Sequence, residues 1–452
     1  MSEAGKDCLN MSRLQPCFFW RHGRYTRAMT PLLLLLAAAG TPEPQRLRAT
    51  VDALVSFGTR HTLSSATDPR RGIGAARRWT AAQFEALGRA CGGCLAIETI
   101  GDRFSGPRAP DGVRVEDVLA IQRGTGDPDR VVIVQAHIDS RVSDVMDATS
   151  DAPGANDDAS GVALVLEAAR ILSRERFPAT IVYAALSGEE QGLWGGQLLA
   201  RTAKARGWRV AAVLNNDIVG NTRGTGGARD SARVRVFSEG LSLAGDLDAA
   251  RAQRVNGGED DGPSRALAKA IRRVAKRERG LQVIAVHRPD RFGRGGDQTP
   301  FMEQGFPAVR FTEVTENYDH QHQTLRTEQG RFFGDTADYM DFGYLARVTA
   351  LNIAALRELA SAPAAPTGVT IAGAISADTT VGWSPVPGAV RYRVRWRQAD
   401  AGDWTNARDV GAGETGLLLR GINIDHHLFG VSAVAANGAE SLVSFAGPAP
   451  RR

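Results

Sequence analysis

Val131-Val132-Ile133-Val134-Gln135-Ala136-His137-Ile138-Asp139 is the stretch from which the fold can be read. Its four consecutive β-branched residues leave no polar face, as expected of a strand buried on both sides. A histidine and an aspartate follow at once. Similar apolar runs recur at 180–186, 210–214, 281–286 and 308–311. Between them, 159–173, 195–206 and 264–279 carry apolar positions at three- and four-residue spacing, which predicts helices. A last helix is predicted over about 335–359, and 44–90 also reads as helical, while the remainder up to residue 131 reads as a Gly/Pro/Asp-rich turn region. Strands alternating with helices predict an α/β fold, a mostly parallel mixed sheet sandwiched by helices. Ligands of such sheets gather beyond the carboxyl ends of the strands.

The text changes character at Ser361-Ala362-Pro363-Ala364-Ala365-Pro366, a linker after which the helical period disappears. Short alternating runs at 381–383, 391–396 and 428–435 predict a small all-β sandwich over 367–452. At the other end, residues 31–39 form an apolar run preceded by Arg21, Arg24 and Arg27 and followed by small residues. It is too short to span a bilayer and has the parts of a secretory signal. The expected organisation is therefore a signal region at 1–40, with Met11 or Met29 as alternative initiators, a catalytic domain at 41–360, the linker at 361–366 and the sandwich at 367–452. Export to a secreted or periplasmic location is expected, with no integral membrane segment once the signal is removed.

With 452 residues the chain exceeds the roughly 250–300 residues at which single cores stop growing. Its net charge of +5 comes almost wholly from arginine, since lysine occurs only at Lys6, Lys204, Lys269 and Lys276. The arginines are spread among nearly as many carboxylates, without the basic clusters and interleaved aromatics of a nucleic-acid binder. No nucleic-acid partner is expected. Arg70-Arg71 and the basic stretch at 272–279 read as solvated helix faces. Cys8 and Cys17 fall in the signal region, which leaves Cys91 and Cys94 as a candidate structural disulfide in an oxidising compartment.

The chemistry-bearing residues stand at successive strand ends. His137-Ile138-Asp139 follows the first strand, and Gly154-Ala155-Asn156-Asp157-Asp158-Ala159-Ser160-Gly161 opens onto a helix. Ser187-Gly188-Glu189-Glu190-Gln191-Gly192 follows the second strand, Asn215-Asn216-Asp217 the third, and Asp319-His320-Gln321-His322 the last. Imidazole and carboxylate are the ligands zinc accepts when no thiolate is offered. Two histidines and three acids fit a pair of zinc ions sharing one carboxylate: Asp157 bridging, His137 and Asp217 completing one site, Glu190 and His322 the other. Asp139 is placed to accept the free ring proton of His137. Glu189 would remain unliganded and serve as general base. Any one of these acids alone would more often be a helix cap or a solvated loop residue, and His137 alone a structural histidine. His61, His287, His426 and His427 read as structural or surface residues.

These segments, in this order, resemble metallopeptidase family 28, the co-catalytic zinc aminopeptidases related to glutamate carboxypeptidase and the transferrin receptor. The resemblance covers about 44–360 and implies that His137, Asp157, Glu190, Asp217 and His322 match the metal ligands and Glu189 the catalytic base. It implies an exopeptidase that removes amino-terminal residues from peptides or proteins by means of a metal-bridging water. The deacylase-type amidohydrolases lack support because no segment is long enough for their inserted lid. Two positions depart from the family pattern. Gly296-Asp297-Gln298 stands where Ser-Asp-His is common, and His320-Gln321-His322 replaces the usual His-Thr-Pro setting, leaving His320 as the competitor of His322. A glutaminyl cyclase-like enzyme and a non-catalytic scaffold are the alternatives on the same fold. The C-terminal segment resembles a fibronectin type III domain through Trp383 and Tyr392-Arg393-Val394-Arg395-Trp396, which implies attachment to a surface or polymer.

Overall fold

The computed structural model describes residues 40–448 except 243, 245 and 246. The predicted signal region, up to residue 39 and with Cys8 and Cys17, lies outside the described residues. Among the described residues, no helix is long and apolar enough to cross a membrane.

Eight strands form the central sheet: β1 (Ala96–Gly106), β2 (Ala109–Gln122), β3 (Asp127–His137), β4 (Ala179–Leu186), β5 (Arg209–Asn216), β6 (Arg233–Phe237), β7 (Gln282–Val286) and β8 (Ala308–Thr312). Their order is β1-β2-β4-β3-β5-β8-β6-β7. The centre is parallel, β4 to β3, β3 to β5 and β5 to β8. Antiparallel pairs flank it, β1 with β2 and β2 with β4 on one side and β6 with β8 on the other.

The run at 131–134 shows why a continuous apolar segment becomes a central strand. Val132 and Val134 belong to the larger core, while Val131 and Ile133 point into the smaller core on the opposite face. Successive side chains alternate across the sheet, so both faces must be apolar. The larger core is closed by helices α1 (Pro44–Val55), α2 (Ile73–Ala90), α3 (Ala159–Leu172), α7 (Pro263–Glu278) and α9 (Phe342–Ser361). A second layer comprises α5 (Trp194–Ala205) and α8 (Thr299–Glu303), which bury Leu199, Ala203, Phe301 and Met302. Short helices α4 (Glu189–Gly192) and α6 (Leu247–Val255) complete the order. Each fully buried Val, Leu or Ile contributes roughly 1.5–3 kcal/mol, so the sheet centre is the rigid part of the molecule.

Four sequence expectations need correction. Arg70 and Arg71 lie in a bend ahead of α2 and not on a helix face, and Arg71 pairs with Asp151 at 2.6 Å. The predicted turn region before residue 131 contains the long hairpin β1–β2, paired from Ala96↔Ile121 to Gly106↔Ala109. Much of β1 is exposed, so its Gly and Asp residues meet solvent and the apolar signal of a strand is diluted. The last helix begins at Phe342, capped by Asp341 accepting from Tyr344 N–H, and Asp335 lies ahead of it in a non-helical turn. The basic stretch at 272–279 is not a purely solvated face. Arg272 pairs with Asp403, Arg273 Nε lies 3.7 Å from Glu440, and Arg277 bonds Glu358 at 2.9 Å. Partners distant in sequence convert those charges into contacts. Cys91 and Cys94 form a disulfide at the end of α2.

Beyond residue 366, two four-stranded sheets enclose a separate core of Val381, Trp383, Tyr392, Val394, Phe429 and Val431. This region is fastened to the main sheet's helices by buried charge. Arg397 donates to Asp261 Oδ2 at 2.6 Å, and Lys269 of α7 donates to Asp261 Oδ1 at 2.7 Å. Arg397 and Asp261 side chains are each only 3 % exposed, which commits both to one geometry.

Candidate metal centre

The carboxyl ends of β3, β4 and β5 place His137, Ser187 with the following Glu189-Glu190, and Asp217 on one rim of the sheet. Helix α3 begins at the same rim because Asp158 caps it, accepting from Gly161 N–H at 3.0 Å. The other carboxylate oxygen of Asp158 accepts from His137 N–H at 3.2 Å, which joins helix and strand end. Gly161 permits the approach, since a Cβ there would lie 2.2 Å from the Asn216 carbonyl. The loop before α3 is fixed by Arg60, fully buried, which donates to the carbonyls of Ile138, Pro153 and Gly154 at 2.6–2.9 Å. Asp335 completes the clamp by accepting from Asn156 and Asp157 N–H, each at 2.8 Å.

Two overlapping groups of donor atoms result. His137, Asp157 and Asp217 offer one set, and Asp157, Glu190 and His322 the other, each with its atoms within 4.8 Å of one another. Asp157 belongs to both. Its Oδ1 is 3.2 Å from His137 Nε2 and its Oδ2 is 2.8 Å from His322 Nε2. His322 Nε2 also lies 3.0 Å from Glu190 Oε1. His320 is turned away: its Nδ1 faces the Gly334 carbonyl at 2.9 Å and its ring stacks on Tyr339 at 3.6 Å.

Asp139 approaches His137 in a way the sequence does not specify. Its main-chain oxygen is 3.0 Å from His137 Nδ1, whereas its carboxylate is 3.5 Å away. That carboxylate accepts from Thr62 Oγ1 and from the N–H groups of Glu189 and Glu190. Asp139 therefore aims α4 as well as the imidazole. Glu189 lines the cavity, and among the described residues its carboxyl has no hydrogen-bond or ion-pair partner.

Charge and burial oppose one another throughout. Burial alone would lower the His137 imidazole, but Asp139, Asp157 and Asp217 hold it well above its ordinary value. Burial likewise opposes protonation of His322, yet Glu190 and Asp157 push it to about 10. Asp157 is desolvated, and the two imidazoles nonetheless hold its carboxyl well below the usual range. For Asp139 burial favours the neutral acid, but His137 beside it wins and lowers it. Desolvation prevails at Glu189 and Asp158, raising both well above the usual carboxylate range, and raises Asp297 and Asp335 to about 7.

Sequence reasoning missed the arginines. Arg310, with no exposed side-chain surface, places Nη2 2.8 Å from Asp217 Oδ1 and Nη1 3.1 Å from Asp290 Oδ2. Its signal was available: an arginine inside the apolar run of β8 must find buried partners. Arg141, which donates to Glu190 Oε2 at 2.8 Å and faces His322 Nδ1 at 2.5 Å, lies in a loop with no such signal. Asp335 was hidden by the misplaced helix start.

The donor set fits zinc. All five groups are imidazole or carboxylate, the buried Nε2 of His137 and Oε1 of Glu190 make no hydrogen bond among the described residues, and both groups adjoin a cavity of about 740 Å³. Such a centre at the carboxyl edge of a helix-covered mixed sheet defines a zinc-dependent hydrolase. The description "Peptidase family M28" matches residues 117–341. A protein described as "Probable zinc metalloprotease" from Pyricularia oryzae is 42 % identical over 435 residues, 93 % of this chain and 85 % of that protein. One from Leptosphaeria maculans is 43 % identical over 402 residues, 87 % of this chain and 92 % of its own length. The chain belongs to peptidase family M28 and is a zinc metalloprotease. The fold is shared with LapB from Legionella pneumophila, at a TM-score of 0.53 and 19 % identity over 73 % of this chain and 75 % of that one. It is shared too with an aminopeptidase from an Aneurinibacillus strain, at 0.50 and 14 % over 71 % and 95 %.

Proposed function

We propose that this zinc metalloprotease is an exported aminopeptidase that holds two zinc ions and hydrolyses the amino-terminal bond of peptides or proteins. The observation that carries this reading is the division of labour between adjacent glutamates: Glu190 joins the donor set, while Glu189 faces the same cavity with no hydrogen-bond or ion-pair partner among the described residues. His137, Asp157 and Asp217 would hold one ion and Asp157, Glu190 and His322 the other. Zinc held there would supply Lewis acidity, which would polarise the scissile carbonyl and make water a nucleophile near neutral pH. Glu189 takes the proton of the attacking water and delivers it to the leaving amine as the C–N bond breaks. Arg310 holds Asp217 in place, and Asp139 aims Glu189 and His137 together.

Export is supported by the apolar run at 31–39 and by the Cys91–Cys94 disulfide, which persists in an oxidising compartment. The domain limits 41–360, 361–366 and 367–452 belong to the same proposal. We assign the last to the fibronectin type III class, as a module for attachment to a surface or polymer.

The test is chelator treatment of the purified chain followed by zinc. Elemental analysis is expected to give two zinc ions per chain, with cleavage of aminoacyl-arylamides restored. Release of pyroglutamate in place of free amino acid would identify a cyclase. Zinc-loaded protein that cleaves only internal bonds, or none, overturns the aminopeptidase reading. Fractionation of cells that make the full chain tests export.

A further inference from the structure

Among the described residues, the cavity in front of the centre is lined by carboxylates only where they belong to the centre, Asp157, Glu189, Glu190 and Asp217. Every other fully charged side chain lining it is an arginine: Arg108, Arg141, Arg291 and Arg294. Their counter-charges are scarce. Glu316 is shared by Arg291 at 3.0 Å, Arg294 at 3.2 Å and Arg235 at 2.6 Å, while Asp290 is shared by Arg291 and the buried Arg310. Beyond the centre's own acids, two carboxylates thus face four guanidinium groups. Among the described residues, Arg141 has Glu190, a candidate zinc ligand, as its one ion-pair partner, and Arg108 has no ion pair, its Nη1 bonding the Glu190 carbonyl at 2.5 Å.

We infer that this arginine rim receives a carboxylate of the substrate, so that the enzyme selects peptides bearing an acidic side chain beside the scissile bond or a free α-carboxylate close to it. A guanidinium presents a planar fork of donors that matches a carboxylate in two bonds. Side chains that share too few acids gain most from a further one, and within a partly enclosed cavity the pairing is screened less than at open surface. Neutral and cationic residues gain nothing from the same rim. This inference rests on the peptidase reading for its substrate class, and on the rim alone for the charge preference.

The test uses matched pairs with the zinc-loaded full chain. One arm compares glutamyl- with glutaminyl-arylamide, reporting the side-chain carboxylate. The other compares leucyl-leucine with its C-terminal amide, reporting the α-carboxylate. At least one charged member is expected to have kcat/KM about tenfold above its neutral partner, and this ratio to fall toward unity in Arg108→Gln and Arg294→Gln. Both residues are accessible at the cavity mouth, and Arg108→Lys, which keeps charge but loses the fork, is expected to give an intermediate ratio. Ratios at or below one in both arms overturn the inference while leaving the peptidase intact, as does a ratio untouched by the Gln variants. If no member is cleaved, the aminopeptidase reading fails and calorimetry with N-acetylglutamate and N-acetylglutamine decides the rim separately. About tenfold tighter binding of the glutamate that is lost in Arg294→Gln supports it, and equal affinity overturns it.

Discussion

His322 Nε2 lies 2.8 Å from Asp157 Oδ2, on the far side of the carboxylate from His137. Two histidines separated by most of the catalytic sheet thus meet opposite edges of one aspartate, while His320, two residues away, stacks on Tyr339. His322→Ala is expected to lower zinc affinity and kcat/KM by at least about a hundredfold, since a direct ligand should exceed the 10–100-fold typical of outer partners. His320→Ala is expected to retain zinc and stay within a few-fold of the parent. Equal losses in both variants would reject the assignment; elemental analysis and arylamide kinetics read it.

Glu189→Gln keeps the shape of the side chain but cannot accept a proton. The rate of hydrolysis is expected to drop by about 10²–10⁴-fold with zinc content unchanged. Full turnover in this variant would remove the general base from the account.

Arg310 is buried between Asp217 and Asp290. Arg310→Met leaves Asp217 without its arginine and Asp290 with Arg291 in its place, and is expected to cost about 3 kcal/mol in the zinc-free protein. Zinc restores a cation beside Asp217 alone, so the gain in Tm on adding zinc should be larger in the variant than in the parent. Thermal unfolding with and without chelator measures both; an equal zinc-induced gain argues against the Arg310–Asp217 coupling.

Arg397 and Asp261 form the buried pair between the C-terminal sheets and the peptidase helices. Arg397→Met is expected to destabilise the full chain by about 3 kcal/mol, because among the described residues Asp261 then keeps Lys269 as its one ion-pair partner. Urea unfolding should show either a lowered single midpoint or separation of the C-terminal module as an early transition. An unchanged curve contradicts the fastening.

Glu239 gives a pH signature away from the centre. Burial, with Glu303 adding repulsion, raises its carboxyl to about 7. The folded chain therefore binds this proton more tightly than the unfolded chain, and the associated stability is present at low pH and lost as pH rises toward and through 7. Solvent reaches this half-buried group, which keeps the loss near about 1 kcal/mol. Glu239→Gln should remove that component, so the variant gains stability relative to the parent at pH 8 and not at pH 4. Urea midpoints at the two pH values check it, and a constant difference refutes it.

Much of the sheet was legible because its central strands are buried on both faces and cannot tolerate polar residues. Residues 131–134, 180–186, 210–214 and 308–311 lie within β3, β4, β5 and β8. The hairpin β1–β2 leaves no apolar signal because its exposed stretches are free to be polar, and β6 is a short strand next to the sheet edge whose arginines alternate with its valines. The strand-end acids were legible because turn motifs such as Gly154 to Gly161 carry backbone requirements along with the ligand.

By itself, the sequence determined an α/β chain with acids and histidines at successive strand ends, since periodicity and local motifs act over a few residues. Only the tertiary structure decided that His322 and not His320 meets Asp157, that Asp139 bonds α4, and that arginines crowd the cavity. Those outcomes depend on loops returning from distant parts of the chain, where burial forces each charge to find a partner that no local pattern announces.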